Sequence, residues 1–210
     1  MLLYLVRHAQ SRANADMSCR EVDCELTELG CRQAELVAAA LRGQTFAQVL
    51  ASPYRRTVAT AREIAAACGA PLALLPSGHE HHSIAPAGWI PPTRAELLWR
   101  YPDLPLVGDV PETTWHRLPE NYEQVAARMQ EVLETLRTRY GSADRVLLVS
   151  HASPIQQLIG VAAGAHTPQE ATRLPIGNAS LTVLDLGATP ARVDALGRSD
   201  HLNIAQPVLL

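Results

Sequence analysis

Two histidines that follow apolar runs are the first candidates for chemistry in this chain. Residues 2–6 suit a buried parallel strand that stops at Arg7 and His8, and the apolar run over residues 145–150 leads directly into His151. Open α/β sheets bind their ligands at the carboxyl ends of the strands. An isolated Arg-His pair is more often part of an ordinary surface turn, so His8 needs support from elsewhere in the chain.

A third predicted strand end supplies arginines. Residues 46–51 form a short predicted strand, and the helix that follows Ser52 carries Arg55 and Arg56 in its first turns. In a parallel sheet these three strand ends meet at one edge. Guanidinium and imidazole groups that converge near helix N termini make an anion site, and a phosphoryl group is the anion that uses it best. Such a site would stabilise a transferring phosphoryl group by position and charge.

The elements that must position these residues alternate between strand and helix. We predict strands over residues 2–6, 46–51, 72–75, 145–150, 179–186 and 191–196. We predict helices over residues 27–43, 52–69, 93–101, 121–140, 153–164 and 167–170. Ser52 and Ser153 are predicted N-caps, each followed by proline in the first turn. This alternation predicts the α/β class, as a three-layer α/β/α sandwich with a mostly parallel central sheet.

Length and composition limit the possible functions. The chain has 210 residues, 47% of them hydrophobic, and a net charge of -3, which fits a single domain over residues 1–210. This charge supplies no cationic surface for nucleic acid or for an anionic membrane. The first apolar run is too short for a signal peptide, and no run approaches the roughly 18 residues of a membrane span. We therefore expect a cytoplasmic protein, and leave a homodimer open.

Residues 76–119 differ in character from the rest of the chain. They contain all three tryptophans, four of the eight histidines and many of the prolines. One short helix is predicted there, with a capping box formed by Thr93 and Glu96. A segment this long and irregular inside a compact domain is usually functional. We interpret it as a small inserted segment that determines substrate specificity, and call it the cap.

Six short segments of the chain carry a family resemblance. The first reads Leu-Val-Arg-His-Ala-Gln-Ser-x-x-Asn over residues 5–14. Five more follow in the expected order, at residues 26–34, 52–61, 149–152, 178–180 and 200–202. Together they resemble the motifs of the histidine phosphatase superfamily, the phosphoglycerate mutase-like proteins. Each match alone is weak, but six in order over nearly the whole chain, apart from the cap, are specific and imply the fold of that family.

The resemblance implies a role for each residue of the predicted pocket. His8 would be the nucleophile, forming a phosphohistidine that water later hydrolyses, and a neutral imidazole is a usable nucleophile near pH 7. The residues expected to bind the phosphoryl group are Arg7, Asn14, Arg56, His151 and Ala152. His151 is also expected to take part in catalysis, and Gln10 and Ser11 are expected to bind the substrate. No metal ion or other cofactor is expected.

The family also needs a carboxylate as general acid for the leaving oxygen. One branch takes it from an Asp directly after the second histidine, but that position is Ala152 here. The other branch takes a Glu from the segment after the third strand, where Glu80 stands. We predict Glu80 as the acid, with Glu112 or a water-exposed group as alternatives. The competing interpretation of Glu80 is a solvated loop carboxylate.

The histidines around Glu80 raise the question of a metal site. His79, His81 and His82 have no supporting carboxylate or cysteine spacing, so we predict solvent-exposed loop histidines instead. Substrate contact by some of them is a further hypothesis. The three tryptophans are equally consistent with packing the cap and with lining the pocket.

Three functions compete for this set of residues: a phosphatase, a phosphoglycerate mutase, and a non-catalytic protein that binds phosphorylated ligands. A mutase must hold a second anionic group, and the cap offers only Arg94, Arg100 and Arg117. The segment after Asn14 also lacks the Gly-Trp motif expected of a mutase. The intact pocket argues against a purely binding role. The sequence therefore favours a metal-independent phosphatase whose partner is a small phosphorylated metabolite.

Overall fold

A computed structural model describes residues 1–16, 18–113 and 115–205 of the chain. Its strands are β1 (Leu2–Arg7), β2 (Gln48–Ala51), β3 (Leu72–Leu74), β4 (Arg145–Ser150), β5 (Leu181–Asp185) and β6 (Arg192–Arg198). Its helices are α1 (Arg12–Ala15), α2 (Glu28–Leu41), α3 (Arg55–Cys68), α4 (Arg94–Arg100), α5 (Tyr122–Arg139), α6 (Ala152–Ala163) and α7 (Pro168–Ala171). Short 3₁₀ turns cover Pro76–Gly78 and Asp200–Ala205. None of the described helices has the length and apolar character needed to cross a membrane.

The six strands form one sheet in the order β3-β2-β4-β1-β5-β6. Strands β1 to β4 run parallel to one another, while β5 and β6 are antiparallel additions at one side. In this register Arg7 lies opposite Ser150, and Ala51 lies opposite Val149. The carboxyl ends of β1, β2 and β4 therefore meet at one edge. The predicted α/β class and the mostly parallel sheet are confirmed.

Helices cover both faces of the sheet. Leu3 and Leu5 of β1 belong to a core cluster shared with α5 and α6, whereas Val6 belongs to a second cluster shared with α2 and α3. Strand β4 divides in the same way, with Leu148 in the first cluster and Leu147 in the second. Alternate residues of a strand face opposite sides of a sheet, so the two clusters mark two helical layers. The predicted three-layer sandwich is confirmed.

The two helices at the edge of the sheet begin differently from the prediction. The N-cap of α3 is Tyr54 and the N-cap of α6 is His151, so the prediction that Ser52 and Ser153 cap these helices is wrong. Ser52 remains in the turn after β2, where its hydroxyl oxygen lies 2.9 Å from a ring nitrogen of His151. Ser153 already lies inside the first turn of α6, because the extended backbone ends one residue before Ala152.

Residues near the start of the cap contact Glu120, the residue that follows its end. The N–H of Glu120 donates to the carbonyl of His82 at 3.0 Å, and the ring of His81 donates to the carbonyl of Glu120 at 2.8 Å. Beneath them, buried Arg128 of α5 makes two hydrogen bonds to the Glu120 carboxylate, at 2.9 and 2.6 Å. Arg128 also donates to the carbonyl of Ser77 at 2.7 Å. One buried ion pair therefore contacts both ends of the cap.

Within the cap, α4 starts with the predicted capping box. The hydroxyl of Thr93 accepts from the N–H of Glu96 at 3.1 Å, and the Glu96 carboxylate accepts in return at 2.7 Å. The three tryptophans have different environments: Trp115 is buried, Trp89 is half-buried, and Trp99 is 85% exposed. Trp115 therefore packs within the cap, where its indole N–H donates to the carbonyl of Pro92 at 2.7 Å.

Candidate active site

The edge of the sheet brings four predicted site residues together. Arg56, at the start of α3, donates from Nε to Nε2 of His8 at 3.2 Å, and its Nη2 lies 3.3 Å from Nδ1 of His151. Oε2 of Glu80 lies 3.3 Å from the same Nδ1 and 3.7 Å from Nη2 of Arg56. The four groups form one cluster in which both imidazoles and the guanidinium are buried.

His8 is held in a single tautomer. Its Nδ1 lies 2.7 Å from the carbonyl oxygen of Ala9, and a carbonyl oxygen can only accept, so the ring proton is on Nδ1. Nε2 therefore carries a lone pair directed at Arg56. Burial, followed by the positive charge of Arg56, keeps the pKa of His8 well below its usual 6.5. His8 is consequently neutral near pH 7, which a nucleophile requires.

His151 is fully buried at the N terminus of α6. Its Nε2 lies 2.9 Å from the hydroxyl oxygen of Ser52, and the ring of Tyr54 packs edge-on against it with centroids 4.9 Å apart. Burial lowers the pKa of His151 to about 4, although the neighbouring Glu80 carboxylate opposes this shift. A neutral ring at a helix N terminus can donate to a phosphoryl oxygen without repelling Arg56.

Glu80 follows the 3₁₀ turn that leaves β3. Burial alone would raise its pKa, but the adjacent His151 and Arg56 outweigh burial and hold the pKa of Glu80 far below its usual value. Its Oε1 accepts from the N–H of His81 at 3.0 Å, which orients the carboxylate. The alternative acid, Glu112, does not line the same cavity and instead accepts from a main-chain N–H at the start of α4, at 3.1 Å.

Arg56 and Arg7 each have a fixed guanidinium group that could bind an anion. Arg56 is 5% exposed, donates to the carbonyl of Val22 at 2.9 Å, and lies with its guanidinium carbon 4.5 Å from the ring centroid of Tyr54. Arg7 donates from Nη1 to the carbonyl of Ile176 at 2.9 Å, while its buried Nε has no partner among the described residues. An unpaired buried donor costs about 1–3 kcal/mol, a cost that a bound oxyanion would remove.

A cavity of about 700 Å³, the catalytic cavity, opens onto this cluster. Among the predicted site residues, the cavity is lined by His8, Ser11, Asn14, Arg56 and Glu80, and not by Arg7, Gln10, His151 or Ala152. The amide oxygen of Asn14 accepts from the N–H and the hydroxyl of Ser11 at 3.2 and 3.0 Å, which orients the amide. The side chain of Gln10 instead accepts from the hydroxyl of Thr27 at 2.8 Å. Gln10 therefore contacts the start of α2, and its contact with the substrate stays a prediction.

The prediction of solvent-exposed histidines is wrong for His79, which is fully buried. Its Nδ1 donates to the carbonyl of Glu80 at 2.9 Å, and its ring stacks on that of His116 with centroids 3.9 Å apart. The hydroxyl of Tyr54 lies 3.2 Å from Nε2 of His82 and 3.0 Å from Nε2 of His116. Burial lowers the pKa of all three histidines, that of His116 to about 3. Uncharged rings therefore connect the cap to Tyr54.

Sequence reasoning missed the residues that support this cluster, which are Ser52, Tyr54, His116, Glu120 and Arg128. Only Arg128 offered a usable signal. It falls on the inward face of α5, where it is 1% exposed, and an arginine on an apolar stripe requires a buried partner. The sequence does not identify that partner, because Glu120 precedes the helix in an irregular segment.

His8, Glu80 and His151 present possible metal ligand atoms within 4.8 Å of one another. Arg56 lies among these groups, at 3.2 Å from His8, 3.3 Å from His151 and 3.7 Å from Glu80. A fixed positive charge at these distances repels a cation and attracts an anion. The cluster therefore suits a phosphoryl group better than a divalent metal ion.

Solved structures of similar fold include phosphatases. The chain matches mycobacterial glucosyl-3-phosphoglycerate phosphatase in complex with VO3 with a TM-score of 0.67 and 25% identity, covering 94% of this chain and 99% of that one. It matches phosphoserine phosphatase from Entamoeba histolytica, in complex with 3-phosphoglyceric acid, with a TM-score of 0.71 and 20% identity, covering 96% and 98%. At 20% identity the second likeness shows the fold alone.

Relatives identified by sequence carry a different name. The chain is 33% identical over 193 residues to a probable phosphoglycerate mutase GpmB of Photorhabdus laumondii, covering 90% of this chain and 86% of the relative. A protein of the same name from Yersinia pestis is 30% identical over 215 residues, covering 96% and 95%. The model of the histidine phosphatase superfamily (branch 1) matches residues 3–198. The chain therefore belongs to the histidine phosphatase superfamily.

Proposed function

We propose that this protein is a metal-independent phosphatase that hydrolyses a small phosphomonoester through a phosphohistidine on His8. The observation that carries the proposal is the state of His8. Its Nδ1 proton is committed to the carbonyl of Ala9, its Nε2 is free of a proton, and the guanidinium of Arg56 lies against that atom. A nucleophile is thus directed at the place where the surrounding positive charge would hold a phosphoryl group.

In the first step the Nε2 lone pair of His8 attacks phosphorus, and the bond from phosphorus to the leaving oxygen breaks. Arg7, Arg56 and His151 bind the equatorial oxygens, where the negative charge of the transition state is spread. The leaving oxygen takes a proton from Glu80 and departs as an alcohol. His8 retains its Nδ1 proton, so the phosphohistidine keeps the hydrogen bond to Ala9.

In the second step Glu80 acts as the base. Water transfers a proton to the Glu80 carboxylate and attacks phosphorus, and the electron pair of the N–P bond returns to Nε2 of His8. Glu80 must be protonated at the start of each cycle, although His151 and Arg56 lower its pKa. An incoming phosphate engages both of these groups and adds negative charge beside the carboxylate, so we expect substrate binding to raise the pKa of Glu80.

A mutase is the second candidate, because the relatives named above carry that name. Transfer to a phosphoglycerate needs a second cationic site for the carboxylate. Arg100 is paired with Asp23 at 2.8 Å and Arg117 with Glu131 at 2.7 Å, and Arg94 does not line the catalytic cavity. The arginines that the cap offers are therefore poorly placed for that task, which favours hydrolysis, although Arg20 outside the cap does line the catalytic cavity.

The test measures phosphate release from p-nitrophenyl phosphate and from a panel of phosphorylated metabolites in the presence of EDTA. We expect turnover in wild type, a loss of about 10³-fold or more in His8→Ala, and an acid-labile phosphoprotein that the variant does not form. The exposed His166, changed to Ala, is the matched control and should retain full activity. Undiminished turnover in His8→Ala would refute the nucleophile. Interconversion of 2- and 3-phosphoglycerate much faster than phosphate release would establish the mutase instead.

A further inference from the structure

A second cavity of about 680 Å³, the outer cavity, adjoins the catalytic cavity under the cap. The two share a wall formed by Arg20, Glu21, Val22 and Ala87. Each has a volume within the range of about 300–1,000 Å³ that holds a drug-sized ligand. Together they offer more room than the phosphate of a three-carbon acid requires.

Apolar rings and chains line the outer cavity. Trp99 and Ile90 are each 85% exposed, and half-buried Trp89 adds a second indole. The ring of Trp89 lies 6.0 Å from Tyr54 and 5.8 Å from His82, so it is fixed by the same cluster that supports the catalytic residues. Exposed apolar groups that gather around a cavity mark a place where a ligand excludes water.

The charges around the outer cavity balance. Arg20, Arg55 and Arg100 are matched by Glu21, Asp23 and Glu96. Most of these groups are already engaged: Asp23 contacts Arg55 and Arg100, and Glu96 belongs to its own capping box. Arg20 and Glu21 have no ion-pair partner in the described part of the chain, and both stand on the wall between the two cavities.

Building on the proposed function, we propose that the outer cavity binds the leaving group of the substrate, and that this group is an uncharged ring bearing hydroxyls, as in a sugar phosphate. With the phosphate at His8, a sugar would extend past the shared wall. Its C–H faces would bury apolar surface against Trp89 and Trp99. Its hydroxyls would donate to Glu21 and accept from Arg20. A lining with no net charge gives no preference to a carboxylate.

The first experiment compares glucose 6-phosphate with glycerol 3-phosphate. Both release a primary alcohol, so the chemical step is similar and the ratio of kcat/KM reports recognition of the leaving group. We expect wild type to prefer glucose 6-phosphate by about tenfold or more, which corresponds to about 1.4 kcal/mol. An equal or reversed preference would refute the assignment.

The second experiment removes the indole of Trp99. We expect Trp99→Ala to reduce kcat/KM for glucose 6-phosphate by about 3- to 10-fold, mainly through KM, and to leave glycerol 3-phosphate unchanged. Ile84→Ala is the matched control, because Ile84 is 81% exposed in the same cap but lines neither cavity. Equal losses on both substrates, or no loss on either, would contradict the subsite.

A binding measurement separates this inference from the proposed function. Calorimetric titration of the His8→Ala protein with glucose 6-phosphate does not depend on turnover. Weaker binding in the His8→Ala/Trp99→Ala double variant would support the subsite. If wild type also hydrolysed nothing, that lack of hydrolysis would refute only the proposed phosphatase activity. Equal affinity in the two proteins would refute the subsite even if wild type proved to be an active phosphatase.

Discussion

Two functional side chains at the edge of the sheet are held by main-chain carbonyls, whereas Tyr54 is connected to the cap through side chains. His8 and Arg56 each donate to a main-chain carbonyl. By contrast, the hydroxyl of Tyr54 lies between the rings of His82 and His116. Main-chain contacts follow from strand and helix positions and are independent of the substrate. Contacts among side chains depend on each partner's identity and protonation, so we expect the cap to govern specificity and the response to pH.

The largest expected effect is the loss of activity when the proposed general acid, Glu80, is removed. Glu80→Gln should lower kcat by about 10²–10⁴-fold on an alkyl phosphate, whose leaving oxygen needs a proton. The loss on p-nitrophenyl phosphate should be much smaller, because p-nitrophenolate leaves without one. Steady-state kinetics on the two substrates make the comparison. If both substrates lost activity equally, Glu80 would not be the acid.

A substitution of Arg56, at the edge of the sheet, should lower activity equally on the two substrates. Arg56→Lys keeps the charge but loses the fork that contacts His8, His151 and Val22 together. We expect kcat to fall by about 10²–10³-fold on both alkyl and p-nitrophenyl phosphates, since the lost stabilisation acts on the phosphoryl group itself. The same pair of substrates measures it. A loss confined to alkyl phosphates would place Arg56 at the leaving oxygen instead.

The smallest expected effect concerns the pH dependence of stability. Burial lowers the pKa of His151 to about 4 and that of His116 to about 3. As pH falls below about 6.5, the unfolded chain takes up protons that the folded chain excludes, so the free energy of unfolding decreases until those lower pKa values are reached. Each such histidine contributes a slope of up to about 1.4 kcal/mol per pH unit. Urea unfolding at pH 7.5, 6.0 and 5.0 measures the sum.

A pair of variants assigns part of that slope to the cap. His116→Gln should flatten the dependence of the unfolding free energy on pH, whatever its effect at pH 7.5. His166→Gln, at an exposed position, serves as the control and should leave the slope unchanged. Identical slopes in wild type and His116→Gln would show that His116 is not held neutral by the fold.

The edge of the sheet could be predicted from the sequence because the strands are continuous apolar runs and because strands and helices alternate along the chain. Apolar runs that end in His8 and His151 imply buried parallel strands, and the parallel pairing then brings their ends together. The N-caps were harder to predict. Ser52 has the right chemistry to cap α3, but its hydroxyl is engaged by His151, a residue 99 positions away. A local propensity was overridden by a tertiary contact.

The cap could not be predicted in the same way. The environment of His79 depends on its stacking with His116 and on the hydrogen bond from the N–H of Arg117 to its Nε2, at 3.3 Å. Neither contact has a periodic signature, and both partners are distant in sequence. An irregular segment buries polar rings wherever their hydrogen bonds can be met, and composition alone does not indicate which rings those are.

The closeness of the two ends of the cap has a consequence for how such proteins can diversify. The main chain at His82 and at Glu120 is already joined by a hydrogen bond, and the side chain of Arg128 binds the Glu120 carboxylate. The entropy of closing a loop grows only slowly with its length, by about 0.6 kcal/mol for each doubling. Loop closure therefore sets little limit on the length of the segment between these two points, whereas Tyr101, Leu104 and Val107 within it belong to the two core clusters and must be kept. Inserts in the exposed stretch at residues 83–85 therefore offer a route to new substrate contacts that leaves the catalytic residues in place.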